Sequence, residues 1–269
     1  MKEYALELVK GIEGYDAKLN TLREYLQAYA LRVMHAEGVF RSTAFVGGTA
    51  LRFLYGLPRF SEGLDFSSEK GKSNYTFAQL MVKIKSEFEL SGYNISVVYD
   101  DTKTVNDAFF KFEGLLYEAG LSPLKSRKMS VKLEIDTNPP KGAVLVTQLV
   151  NKYFPITFLA YDIASLFSAK VHALLSRRYT KGRDFFDLGW YLSRWKGITP
   201  NLDLLAQALK QTGWKREMPT QGNWRGLLKA VVEKADWDTV KKDVEHFLEN
   251  PSDMNVLTKE NVLQLLRLE

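Results

Sequence analysis

The residues of this chain best suited to chemistry lie in a glycine pair and two acidic alternations. Gly47 and Gly48 precede Thr49, and the alternation Glu62-Gly63-Leu64-Asp65 follows shortly after. A strand–glycine–helix turn exposes backbone N–H groups at a helix N-terminus, where a phosphate chain is stabilised. Thr49 adds a hydroxyl donor and is placed to cap a helix. Residues two apart on a strand share a face, so positions 63 and 65 point the same way, toward the region of the turn. Two carboxylates there would hold divalent metals that bridge a nucleotide's phosphates. This chain supplies one, Asp65. The plainer reading is a tight turn beside a surface strand residue.

A second acidic strand, "SVKLEIDTNPP", puts Val131, Leu133 and Ile135 on one face and Lys132, Glu134 and Asp136 on the other. Such a polar face is either solvated or completes a metal site. Glu134 and Asp136 compete for that role, with Asp136 favoured because it lies nearer the strand's exit.

The third constellation is "DIASLFSAKVHALLSRRYTKGRDFFDLGWYL", residues 162–192. Asp162 is placed to cap a helix. Lys170 and Arg177, seven apart, share a helix face, and Asp184 and Asp187, three apart, adjoin on the next. The cluster is either a salt-bridged helical hairpin or a phosphate contact at Lys170 with an orienting or deprotonating aspartate.

The elements that must position these groups change character along the chain. Apolar periodicity predicts a helix over about 16–36, a strand over 39–46, a helix from Thr49 to about Tyr55, a short strand at 63–68 and a helix over 75–90. Strands are expected near 93–99, 108–115 and 129–136. Beyond Pro155 helices dominate: about 162–178, 183–195, 201–211, 224–235, 237–248 and 258–267. The expected division is an α/β domain over 1–155 and a helical domain over 156–269.

Composition narrows the function classes. Of 269 residues none is cysteine, which excludes disulfides, thiolate zinc sites and Cys catalysis, and only three are His, which argues against an imidazole metal cluster. No apolar run approaches the roughly 18 residues of a membrane span, and the charged start "MKEYALELVKGIEGYDAK" lacks a signal-peptide core. The expected location is the cytoplasm. A net charge of +5 mildly favours an anionic partner.

Taken together, the three motifs resemble the AbiEii/AbiGii toxin family of nucleotidyltransferases, which includes the MenT toxins. The resemblance rests on Gly47-Gly48-Thr49-Ala50-Leu51, on Arg59-Phe60-Ser61-Glu62-Gly63-Leu64-Asp65-Phe66, and on Lys132-Leu133-Glu134-Ile135-Asp136 with Asn138-Pro139-Pro140. It continues in Lys170, Ala173-Leu174, Arg177 and Arg183-Asp184-Phe185-Phe186-Asp187-Leu188, so it spans about residues 40–192. It implies a polymerase-β-like nucleotidyltransferase domain joined to a helical domain. It also implies magnesium-dependent transfer of a nucleotide from an NTP to an RNA acceptor, the tRNA 3′ end in MenT-type enzymes. The setting would be a toxin–antitoxin pair, with a cognate antitoxin and a role in phage defence. Gly47, Gly48, Thr49, Lys170 and Arg183 would contact the nucleotide, and Asp65 with Glu134 or Asp136 would hold metal. Asp65, Lys170 and Asp184 would serve catalysis, with Lys170 and Asp184 facing the same cleft as Asp65.

Gly63 departs from the pattern, which has Asp there. Three accounts of it are a natural variant using another carboxylate, a degenerate enzyme, and a substitution that silences a toxic protein. A bulge at Gly63 would swing Glu62 onto the carboxylate face. On the second account the chain is a catalytically impaired nucleotide- or RNA-binding homologue. A module recognised by an antitoxin is the remaining reading.

Overall fold

The computed structural model describes residues 1–68 and 75–267. Two helices open the chain, α1 (Lys2–Lys10) and α2 (Tyr15–Ala36), followed by β1 (Thr43–Val46), α3 (Gly47–Tyr55), β2 (Gly63–Ser68) and α4 (Phe77–Leu90). Next come β3 (Asn94–Asp100), β4 (Val105–Glu113), the short α5 (Leu115–Glu118), β5 (Met129–Asp136), β6 (Leu145–Asn151) and β7 (Pro155–Tyr161). The rest is helical: α6 (Ile163–Ser176), α7 (Gly182–Arg194), α8 (Leu202–Gln211), α9 (Trp224–Lys234), α10 (Trp237–Glu245) and α11 (Lys259–Leu265).

The chain divides into two compact units. The first comprises Met1–Gly56, Phe60–Pro139 and Val146–Ala160; the second comprises Leu57–Arg59, Pro140–Leu145 and Tyr161–Glu269.

The first unit is built on a seven-stranded mixed sheet in the order β3-β4-β5-β2-β1-β7-β6. β2 runs antiparallel to β1 and parallel to β5, and β4 is antiparallel to both β3 and β5. Strict alternation in β5 buries Met129, Val131, Leu133 and Ile135 and leaves the charged face out. Aromatic rings fill the core. Phe45 stacks on Phe66 at 5.3 Å and on Phe158 at 5.0 Å, joining β1 to both its neighbours. Each such buried ring contributes roughly 1.5–3 kcal/mol relative to leaving it in water. α2 and α4 meet through Tyr29 and Phe88, 4.8 Å apart, and Phe88 reaches Phe112 of β4 at 4.9 Å.

One buried ion cluster ties α2 to α3. Glu24, 4% exposed, takes the guanidinium of Arg52, the Lys152 ammonium at 3.2 Å and the Tyr153 hydroxyl at 3.0 Å. Burial first, and the Glu24 charge second, push the Tyr153 phenol well above its ordinary value.

The helical unit packs α6 on α7 and α8, with Phe167 stacked on Tyr191 at 4.4 Å and meeting Trp224 edge-on at 5.7 Å. Asp162 caps α6 as expected, accepting from the Ser165 N–H at 2.8 Å. Gly182 opens α7 where a Cβ would overlap the Val240 carbonyl, its carbon 2.8 Å away, so only glycine lets α10 lie this close.

Several expectations need correction. Residues 39–46 are not one strand. Gly38 turns left-handed at φ 71°, residues 39–41 coil into a 3-10 turn, and the strand begins at Thr43. Thr49 does not cap α3, because the helix starts at Gly47 with Val46 at the cap position. Two strands, β6 and β7, lie on either side of residues 152–154, where no strand was expected. α1 is an element that the periodicity did not indicate. Among the described residues, no helix is long and apolar enough to cross a membrane.

Candidate functional site

In the first unit the site grows from the place where β1 hands over to α3. Val46, the last residue of β1, is the register partner of Asp65 on β2. The chain leaving β1 therefore turns directly beside the Asp65 carboxylate. Gly47 makes that turn at φ +78°, a conformation that glycine tolerates and other residues resist. A Cβ on Gly47 would overlap the Asp65 carboxylate, with Cγ at 2.9 Å. Glycine is thus required twice, for the dihedral and for the approach of the acid. The Asp65 charge lies at the positive end of α3, where an anion is favoured.

Thr49 is fully buried, and its hydroxyl donates to the Gly63 carbonyl. The hydroxyl ties the first turn of α3 to the start of β2 and so fixes the height of Asp65 relative to the glycines. Gly48 is buried in the same turn.

Strand register decides which carboxylate accompanies Asp65. Asp65 pairs with Glu134 across the parallel β2–β5 ladder, while Asp136 pairs with Ser67, one step further along the same face. Asp136 also accepts the Asn138 N–H at 2.9 Å. Glu134 is thus the register partner of Asp65, and Asp136 lies one step further along the strand. The row continues to Asp107, the register partner of Glu134 on β4. Asp107 was missed in the sequence, although its place opposite the buried Ala108 and Phe110 in β4 was an available signal.

Gly63 sits regularly in this ladder. It pairs with Lys132, and the register runs without slip from Gly63 to Ser67, so no bulge brings Glu62 round. Glu62 is exposed. A Cβ at position 63 would stand 3.3 Å from the Lys132 carbonyl oxygen and 3.7 Å from the Lys132 Cβ, a fit needing a few tenths of an ångström of give. The Lys132 ammonium pairs with Glu134 at 2.8 Å and lies 5.6 Å from the Phe109 ring centre.

Among the described residues, no three Asp, Glu or His side chains come together as a ready metal cage. A magnesium ion does not need one. It commonly binds through one or two carboxylates, with substrate phosphates and water completing the shell. Asp65 and Glu134, adjacent on one sheet face, fit a single ion of that kind.

The helical unit carries a second charged constellation. Arg59 grips Asp187 with two parallel bonds, Nε to Oδ1 and Nη2 to Oδ2, each 2.6 Å. The Lys170 ammonium lies 2.6 Å from Asp187 Oδ2 and 3.2 Å from Asp184 Oδ1. Asp184 in turn pairs with Arg177. The chain of charges runs Arg59–Asp187–Lys170–Asp184–Arg177 from fully buried to partly exposed, Arg177 keeping 32% of its side chain in solvent.

Burial works against charge in this cluster, and the partners prevail. It pushes the Asp187 carboxyl up, but Arg59 and then Lys170 bring it below the usual carboxylate value. It pushes the Lys170 ammonium down, but Asp187 and then Asp184 raise it above the usual lysine value. Both groups are thus held charged. The salt-bridged helical hairpin is therefore realised, with both aspartates taking Lys170. Arg59, contributed from far upstream in the sequence, was missed. Arg183 turns elsewhere: its backbone N–H donates to Asp243 at 3.2 Å, and its guanidinium lies 4.2 Å from the Phe247 ring centre.

A glycine turn that seats an acid at a helix N-terminus, beside a strand of carboxylates, is architecture suited to nucleotide handling. The model of the AbiEii nucleotidyl transferase toxin family, a type IV toxin–antitoxin system, matches residues 30–259. The chain belongs to that family. Two solved structures are similar to it. One is a candidate nucleotidyltransferase from H. pylori, with TM-score 0.56, 22% identity, and 91% of this chain and 92% of that one covered. The other is JHP933 from Helicobacter pylori, with TM-score 0.55, 20% identity, and 92% and 90% covered. At these identities the likeness establishes a shared fold. Comparison with curated proteins gave no match.

Proposed function

We propose that this chain is the toxin of its pair and carries a site for transferring a nucleotide from an NTP to an RNA acceptor, the tRNA 3′ end being the first to test. A cognate antitoxin would oppose it. The observation that carries the reading is the Asp65 carboxylate seated against Gly47 at the first turn of α3, with Glu134 as its register partner.

In this reaction an acceptor hydroxyl oxygen bonds to the α-phosphorus, the bond to the bridging oxygen breaks, and pyrophosphate leaves. The hydroxyl proton passes to a base. Catalysis of such a step is mostly positioning and charge stabilisation. The backbone N–H groups of Gly47 and Gly48 receive phosphate oxygens. Asp65 and Glu134 are the residues that would hold magnesium. When bound, magnesium lowers the pKa of the acceptor hydroxyl and offsets the triphosphate charge. In the helical unit, Asp184 and Asp187 keep Lys170 charged and fixed, and Arg177 is the partly exposed cation of that cluster, suited to a phosphate.

A second reading has its own observation. Gly63 supplies no ligand, and the Lys132 ammonium engages Glu134. On that reading the chain binds nucleotide weakly and turns over little. Incubation with each labelled NTP, magnesium and total tRNA, alongside Gly63→Asp, distinguishes the two. Label on RNA with the chain as written supports the enzyme; label only with Gly63→Asp supports the impaired homologue; label with neither overturns transfer.

A further inference from the structure

The helical unit contains an open cavity of about 700 Å³ that has the Arg177–Asp184 pair on its wall and whose other cations the reading above leaves unassigned. Its walls are the end of α6 with the loop to α7, the loop after α8, and the end of α9. Arg177, Arg178, Lys181, Lys215, Arg216 and Lys234 line it, and Asp184 is the one lining carboxylate among the described residues. Asp184 is already shared by Lys170 and Arg177. None of Arg178, Lys215, Arg216 and Lys234 is in an ion pair among the described residues.

So many like charges around one hollow repel each other, and a bound polyanion relieves the repulsion. Burial, and then the neighbouring Arg183 and Arg177, hold the Lys181 ammonium below its ordinary value. Aromatic rings alternate with the cations. Tyr179 is 67% exposed, with the Arg177 guanidinium 5.9 Å from its ring centre, and Trp214 carries Arg216 at 5.4 Å. The exposed Tyr179 ring and the half-buried Trp214 ring, each beside a cation, suit a strand whose bases are free to stack. A duplex keeps its bases inside and gains nothing from them.

We propose that this cavity binds the backbone of single-stranded RNA, with Arg178, Lys215, Arg216 and Lys234 on phosphates and Tyr179 or Trp214 under a base. The proposal rests on the RNA-acceptor reading and adds where the acceptor strand is held.

The test is fluorescence anisotropy of a labelled ten-nucleotide single-stranded RNA, titrated with the full chain without NTP or magnesium. The variants are Lys215→Glu with Arg216→Glu, and Tyr179→Ala, with far-UV circular dichroism confirming the fold. The double charge reversal should weaken binding more than tenfold. It should also lower the slope of log K against log salt by about 0.7 for each phosphate that the chain no longer neutralises. Tyr179→Ala should weaken binding with the slope unchanged. Competition uses an NTP, a duplex RNA and polyglutamate. Equal affinity of wild type and charge-reversal chain, no binding by wild type, or stronger displacement by NTP, duplex or polyglutamate than by unlabelled strand overturns the proposal. Because no transfer is measured, RNA bound here without turnover would leave this inference standing while the enzymatic reading failed. Transfer with RNA binding indifferent to these residues would do the reverse.

Discussion

Asp65 and Glu134 are register partners on adjacent parallel strands, and Glu134 also holds the Lys132 ammonium at 2.8 Å. The acid beside Asp65 thus comes from the next strand and is partly neutralised, while position 63 on the same face contributes no side chain. For the proposed metal-bridged triphosphate, position 63 therefore adds no carboxylate charge to that of Asp65 and Glu134.

Restoring that charge should be productive. Gly63→Asp meets the Lys132 carbonyl oxygen at 3.3 Å, which a small shift accommodates. A regained metal ligand is worth roughly 3 kcal/mol of transition-state stabilisation, about a hundredfold in rate. Initial rates of label transfer to RNA measure it. An unchanged rate would favour a natural variant site built on Glu134.

Register also ranks the two acids of β5. In a Gly63→Asp background, Glu134→Gln should reduce transfer at least about tenfold more than Asp136→Asn, a difference near 1.4 kcal/mol. The ratio of the two kcat/KM values measures it, and a larger loss at Asp136 would return the role to that residue.

Gly47→Ala should damage both fold and site. The left-handed backbone costs a Cβ-bearing residue about 1–2 kcal/mol, and here the added carbon also displaces the Asp65 carboxylate. Urea unfolding and NTP affinity should fall together. Normal values for both would make the turn permissive.

In the helical unit, Asp187→Asn should cost about 3–5 kcal/mol, because it leaves Arg59 and Lys170 buried with an uncompensated charge. The pH profile carries the same signature. The Asp187 carboxyl is held low, so its stabilisation is full above the unfolded carboxylate value near ~3.9 and is lost as pH falls through the lower folded value. The Lys170 ammonium is held high, so its contribution is full below the unfolded value near ~10.4 and is lost as pH rises through the higher folded value. Asp187→Asn should flatten the acid limb of stability against pH; a wild-type acid limb in the variant would remove Asp187 from this role.

Legibility in the sequence followed how local each determinant is. α6 to α11 were visible because apolar periodicity and the Asp162 cap are contained in a few turns of chain. β5 was visible for the same reason at period two. β6 was not, since alternate residues are only half-buried and none is fully covered, so no apolar face stands out. The bond of Arg59 to Asp187 joins residues 128 apart, and no local pattern announces it. Likewise, which of Glu134 and Asp136 lies opposite Asp65 depends on strand order and register, which are properties of the folded sheet.

The most direct test of the central claim is nucleotide transfer by Gly63→Asp with and without Asp65→Ala, using each labelled NTP, magnesium and total tRNA. If Asp65 is the centre of the site, Gly63→Asp labels RNA and the added Asp65→Ala abolishes the label while the chain remains folded. Transfer that persists at full rate without the Asp65 carboxylate would contradict the account.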